Sequence, residues 1–133
     1  LLAANRYFLD LLERRIDGEV DGGSTIEGEV CIEAGARGRR SRIVGPALIG
    51  ADCVIEDCRI GPHVALGAEC VVAATDVIGS IIDRGCRIER VRSGLHNAIV
   101  GLNAYLADVA TRDGAGLSLL IADNSVIGPA GGW

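Results

Sequence analysis

The chain has 133 residues, of which 49% are apolar and 23% charged, with a formal net charge of −5. That is one domain's worth of sequence with enough apolar residues for a core, which excludes a disordered tail. The acidic balance argues against general nucleic-acid binding, and all 13 basic residues are Arg, which removes the phosphate-loop lysine and every lysine-based chemistry.

Residues 1–16 read as an amphipathic helix. Leu2, Leu9, Leu12 and Ile16 fall near one face, Leu1, Phe8 and Leu11 widen it, and Asp10 is spaced to pair with Arg14. The chain contains no Met and opens on Leu1-Leu2-Ala3-Ala4 without a cap, so a start trimmed from something longer is expected. A Gly- and Asp-rich linker follows to about residue 25.

From Ile26 the pattern changes. Ile26, Ile32, Val44, Ile49, Ile55, Ile60, Leu66, Val72, Val77, Ile82, Ile88, Leu95, Val100 and Leu106 recur every five or six residues. There are two breaks: a gap of 12 with Gly38 at its midpoint, and a step of seven from Ile88 to Leu95. This period belongs neither to the helix nor to the simple strand. The residue two before each aliphatic is usually small, as at Cys53, Cys58, Cys70, Thr75, Ser80, Cys86 and Ala98, with Arg42 as the violation. Gly, Glu, Asp or Ala usually follows the aliphatic. Such a repeat is the mark of hexapeptide units wound as a parallel β-helix of triangular section, with roughly four to five coils expected at about 4.8 Å spacing. Ile43, Leu48, Val54 and Val71 should then point outward and offer an apolar face for self-association. The pattern divides the chain into a helix over 1–17, a linker over 18–25, a β-helix over 26–106, and a C-terminal loop, strand and irregular tail over 107–133. The helix and the C-terminal strand are expected to cover the open ends of the stack.

Candidate chemistry is sparse. The five Cys have no C-x-x-C spacing; Cys53, Cys58, Cys70 and Cys86 sit at small inward positions and read as buried core thiols in a reducing, cytoplasmic setting. His63, at a corner of the coil, is the one candidate general base, as in hexapeptide acyltransferases, and His96 resembles it in setting. Two His cannot build a three-His zinc site from one chain, and no metal or cofactor residue is assigned. The run Arg37-Gly38-Arg39-Arg40-Ser41-Arg42 is either a patch for phosphate or an acidic partner, or a solvated, irregular coil. Glu27, Glu33, Glu56 and Glu89 read as solvated corners. No apolar run approaches the roughly 18 residues of a membrane span, and no secretory leader is visible.

Leu1-Leu2-Ala3-Ala4-Asn5-Arg6, the linker Gly18-Glu19-Val20-Asp21-Gly22-Gly23-Ser24, and the segments Gly45-Pro46-Ala47-Leu48-Ile49-Gly50 and Ile60-Gly61-Pro62 together resemble the long form of glucose-1-phosphate thymidylyltransferase. The resemblance runs over roughly residues 1–106. It implies an all-β, single-stranded left-handed parallel β-helix carried behind an α/β nucleotidyltransferase domain, with the helix over 1–17 as the end of that domain. It further implies that the nucleotide loop, the sugar-phosphate Lys and the Asp residues for Mg²⁺ lie in that domain, so no catalytic residue transfers onto this chain. The partners implied are that domain and further copies of the chain. Two other readings stand beside it: the β-helix of a UTP-, GTP- or ATP-using pyrophosphorylase, and an acyltransferase with His63 as base.

Overall fold

The structure, a computed structural model, describes residues 1–109, 116 and 118–128. Its aliphatic residues form three stacked columns, one for each side of a triangular prism. The first column is Ile16, Ile32, Ile49, Leu66, Ile82, Val100 and Ile121. The second is Val20, Gly38, Ile55, Val72, Ile88, Leu106 and Ile127. The third is Ile26, Ile43, Ile60, Val77 and Leu95. Every strand pairs in parallel with those one coil before and after it, giving faces of seven, seven and five strands. The described residues form an all-β parallel β-solenoid of about six turns with one short helix. Most of these side chains are 2% exposed or less, and each contributes roughly 1.5–3 kcal/mol by leaving water.

Several details depart from the sequence reading. Ile43, not Val44, faces inward: it is 1% exposed and stacks between Ile26 and Ile60. With that shift, the residue two before the aliphatic is Ser41, which is buried, and the violation at Arg42 disappears. The shift also removes Ile43 from the outward set, where Val54 is exposed and Leu48 and Val71 half-buried. The helix α1 spans Leu2–Asp10 and stops six residues early. Arg15–Ile16 is already a strand, because the amide of Asp17 and the register of Ile16 are taken by the coil that carries Ile32. At the other end, Leu120–Ile121 and Val126–Ile127 are strands in register with the first and second faces, so the solenoid pattern extends to residue 127. The step from Val100 to Ile121 is too long for the repeat to show through. Residues 110–115, 117 and 129–133, most of the expected loop and tail, lie outside the described residues.

The corners explain the small residues. A tight bend leaves a carbonyl and an amide pointing into the prism, and a short side chain with one donor satisfies them. The Ser41 hydroxyl donates to Arg39 O at 2.8 Å and accepts the amide of Cys58, one coil on, at 3.1 Å. Ser80 repeats the device with Ile78 O and the amide of Ala98, and Thr75 with Ala73 O and the amide of Val91. At the third corner, between the first and second faces, the donors are thiols. Cys53, Cys70 and Cys86 stack on successive coils and donate to Gly67 O, Asp83 O and Gly101 O at 2.9–3.0 Å.

Candidate functional site

The residues with most chemistry do not converge on one pocket. They lie along the corners and outer faces, and most are engaged with a neighbouring coil. An open groove of about 660 Å³ lies at the first two coils and is lined by Ile16, Glu19, Val20, Arg37 and Gly38 among others; no His or Cys lines it.

His63 sits in the left-handed region at φ 58°, where a corner requires it and where His is tolerated better than most non-Gly residues. Its Nε2 lies 2.9 Å from Asp10 Oδ1 in α1, and its side chain is 24% exposed. Asp10 therefore turns to the solenoid and not to Arg14, whose amide is held by Glu29 Oε2 at 3.0 Å. Two coils further along the same corner is Asn97, at φ 55°, whose Oδ1 accepts from the Arg6 guanidinium at 3.0 Å. Between these contacts Leu9, fully buried, packs the helix against the strand Val64–Leu66. Asn5 Nδ2 is buried beside it without a hydrogen-bond partner among the described residues. So α1 lies along the side of the prism, not over its open end. The pairing of Asp10 with His63, 53 residues apart in sequence, left no local signal.

His96 is half-buried on the third face, and Gly116 rests directly on its ring; a Cβ at residue 116 would clash with the imidazole. It is not an open corner.

The Arg run is not irregular, and two of its four arginines hold carboxylates. Residues 37–39 and 42–44 are regular strands. Arg40 reaches Asp57 at 2.8 Å and Glu56 at 2.5 Å, both one coil on, and Arg42 reaches Glu27, one coil back, at 3.1 Å. Arg90 to Asp108 at 2.7 Å continues the scheme along the same corner as Arg40. These contacts hold Asp57 and Asp108 below the usual carboxylate range, each chiefly through the hydrogen bond from its Arg partner. Asp21 is lowered first by the Ser24 hydroxyl. Glu89, on the second face, is largely covered and held by Arg87 at 2.5 Å. The outside of the prism at these coils is thus a lattice of opposite charges.

All five cysteines are unpaired; Cys31 is half-buried and the other four are buried. The neighbouring Cys53 thiol in the stack raises Cys70 to about 12, and burial raises Cys58 to about 11. Cys86 is raised by its neighbour Cys70, while Cys53 is lowered by its neighbour Cys70. Cys58, Cys70 and Cys86, held protonated in this way, pack as small apolar side chains and are poor nucleophiles. Among the described residues no group of three or more His, Cys, Asp or Glu could hold a metal ion.

Known proteins supply the rest. A glucose-1-phosphate thymidylyltransferase of Streptomyces griseus is 41% identical over 92 residues, which is 69% of this chain. One of Streptomyces antibioticus is 38% identical over 106 residues, 80% of this chain. The chain is homologous to part of the glucose-1-phosphate thymidylyltransferases. It spans 26% and 30% of the length of these two thymidylyltransferases. No protein-family model matches the chain. The segments that carried the resemblance now have structural roles. The Leu1–Arg6 opening builds α1, the Gly18–Ser24 stretch lies in the first coil, and Ile60-Gly61-Pro62 leads into the His63 corner. No helix among the described residues is long and apolar enough to cross a membrane.

Proposed function

We propose that the chain is the assembly and stabilising domain of a sugar-1-phosphate nucleotidyltransferase. The reaction of the parent protein is dTTP plus glucose 1-phosphate giving dTDP-glucose and pyrophosphate. Its chemistry resides in a nucleotidyltransferase domain of the same polypeptide outside these residues. That domain would carry the Mg²⁺ site, and the parent would work in the cytoplasm, where unpaired thiols persist.

The observation that carries this reading is the 38–41% identity to thymidylyltransferases of which the chain spans less than a third. The side chains support it. Nucleotidyl transfer needs cations and carboxylates aimed at phosphates and a metal. Arg40, Arg42, Arg87 and Arg90 are instead aimed at the carboxylates of the solenoid itself. Asp10 engages Nε2 of His63, so a general base for acyl transfer would have to act through Nδ1.

The test is pyrophosphate release from dTTP and glucose 1-phosphate, with UTP, GTP and ATP in parallel. Turnover is expected from the full-length protein and not from residues 1–133. Turnover by residues 1–133 alone would overturn the non-catalytic assignment. A full-length protein that uses no nucleotide but acetylates a sugar amine, with the activity lost in His63→Ala, would establish the acyltransferase instead.

A further inference from the structure

Arg15, Arg40, Arg42, Arg84, Arg87 and Arg90 each reach a carboxylate of the solenoid. Arg37 and Arg39 reach none among the described residues, although both are exposed on the outer side of the strand Arg37–Arg39. The carboxylates beside Arg39 are already taken. Glu56, its register partner on the next coil, is held by Arg40, and Asp21 by the Ser24 hydroxyl and the Arg40 amide. Glu19 stands opposite Arg37 in the register, yet the two make no ion pair, and the Glu19 carboxylate has no other partner among the described residues. These three unspent groups line one open groove of about 660 Å³, a volume in the range of small-molecule clefts.

Residues two apart on a strand stand roughly 6.6 Å apart, so two long Arg side chains there can grip one phosphoryl group from both sides. The chain carries −5 overall, so an anion gathers here only through these two forks and not through a general field. A nucleic acid would need a longer basic stripe. An acidic peptide would press further carboxylates against Glu19 and Asp21. A sugar phosphate brings hydroxyl groups instead, and a free carboxylate accepts from them. We propose that the groove is a binding site for a sugar phosphate ester, free or within a sugar nucleotide. Arg37 and Arg39 clamp the phosphoryl oxygens, and Glu19 accepts from a ring hydroxyl. This is a ligand site on the solenoid itself, and it does not depend on the function proposed above.

The test treats the full-length protein with phenylglyoxal, which modifies accessible guanidiniums, and maps the modification residue by residue by mass spectrometry. Without ligand, Arg37 and Arg39 should react at least fivefold faster than the ion-paired Arg40; rates equal to that of Arg40 overturn the site. Millimolar glucose 1-phosphate should slow Arg37 and Arg39 at least fivefold and leave Arg59, exposed and likewise without a carboxylate, unchanged. Equal slowing at Arg59, or no slowing at Arg37 and Arg39, overturns the site. Inorganic phosphate should protect less than glucose 1-phosphate in the unsubstituted protein and equally well in Glu19→Gln. Equal protection in the unsubstituted protein leaves a bare phosphate site and overturns the sugar assignment. A preference that survives in Glu19→Gln overturns the role of Glu19. Stronger protection by dTDP-glucose than by glucose 1-phosphate assigns the site to the sugar nucleotide, and the reverse order to the free ester. Pyrophosphate release by the same samples reports on the proposed function separately, since protection is read at Arg37 and Arg39 whether or not there is turnover.

Discussion

Replacing Gly38 with Ala should stabilise the protein. Gly38 is the one residue of the second column without a side chain, stacked between Val20 and Ile55. A Cβ built there would meet Val20 and Ile43 methyl groups at 3.8–3.9 Å, ordinary contact distance, and its φ is outside the left-handed region. The added methyl is buried, which is worth about 0.8 kcal/mol. The lost backbone freedom of glycine in the unfolded chain adds about 0.5–1 kcal/mol. The net gain is about 1.5 kcal/mol, which for a chain of this size raises the melting temperature by about 5 °C. Gly50→Ala is the control. Its Cβ would lie 2.7–2.8 Å from backbone atoms of Leu66, Gly67 and Ala68 on the next coil, and backbone cannot step aside. It should cost about 1–3 kcal/mol. Both are measured by urea titration with the m-value held as a check on the unfolded state. A Gly38→Ala protein no more stable than the parent, or a Gly50→Ala protein as stable as the parent, would refute the column assignment.

Ser41→Ala removes the acceptor of the Cys58 amide inside the prism and should cost about 1–3 kcal/mol by the same titration, although the hydroxyl is small and touches no candidate site. Of the five thiols, a native-state reaction with a disulfide reagent at pH 8 should label Cys31 first and leave Cys53, Cys58, Cys70 and Cys86 unreacted until unfolding; two or more fast thiols would contradict their burial. Asp57 and Asp108 have folded values below the ordinary carboxylate value, so the stability they confer is complete above about pH 4 and is lost as pH falls through the lowered value. The urea midpoint should therefore drop on acidification below about pH 4, and the combined Arg40→Ala and Arg90→Ala protein should drop less.

The columns were legible because the interior of a triangular solenoid imposes one aliphatic per side, and a spacing of five or six survives in sequence without any knowledge of pairing. Even Gly38 could be placed as a missing rung. Legibility failed where two neighbours compete for one rung: Ile43 and Val44 are both β-branched, and the hydroxyl of Ser41 at the corner decides between them. It failed again where periods overlap, since Ile16 continues the helical spacing of Leu9 and Leu12 yet belongs to a strand. The side-chain partners of α1 could not be read at all. The contacts of Asp10 with His63 and of Arg6 with Asn97 join the helix to corners 53 and 91 residues away, and nothing local announces either.

The lengthwise docking of α1 bears on how the protein comes apart under force. A stack of coils alone is a column of equal links, and a pull on either end would peel it one coil at a time. A rod tied to levels two coils apart, at His63 and Asn97, acts as a splint over that stretch. Coils beneath the splint must yield together, while the terminal strands Leu120–Ile121 and Val126–Ile127 lie past its ties and can fray singly. Pulled at its two ends, the molecule should lengthen first by small steps from its C-terminal side and then by one larger step, when the Asp10 and Arg6 contacts rupture.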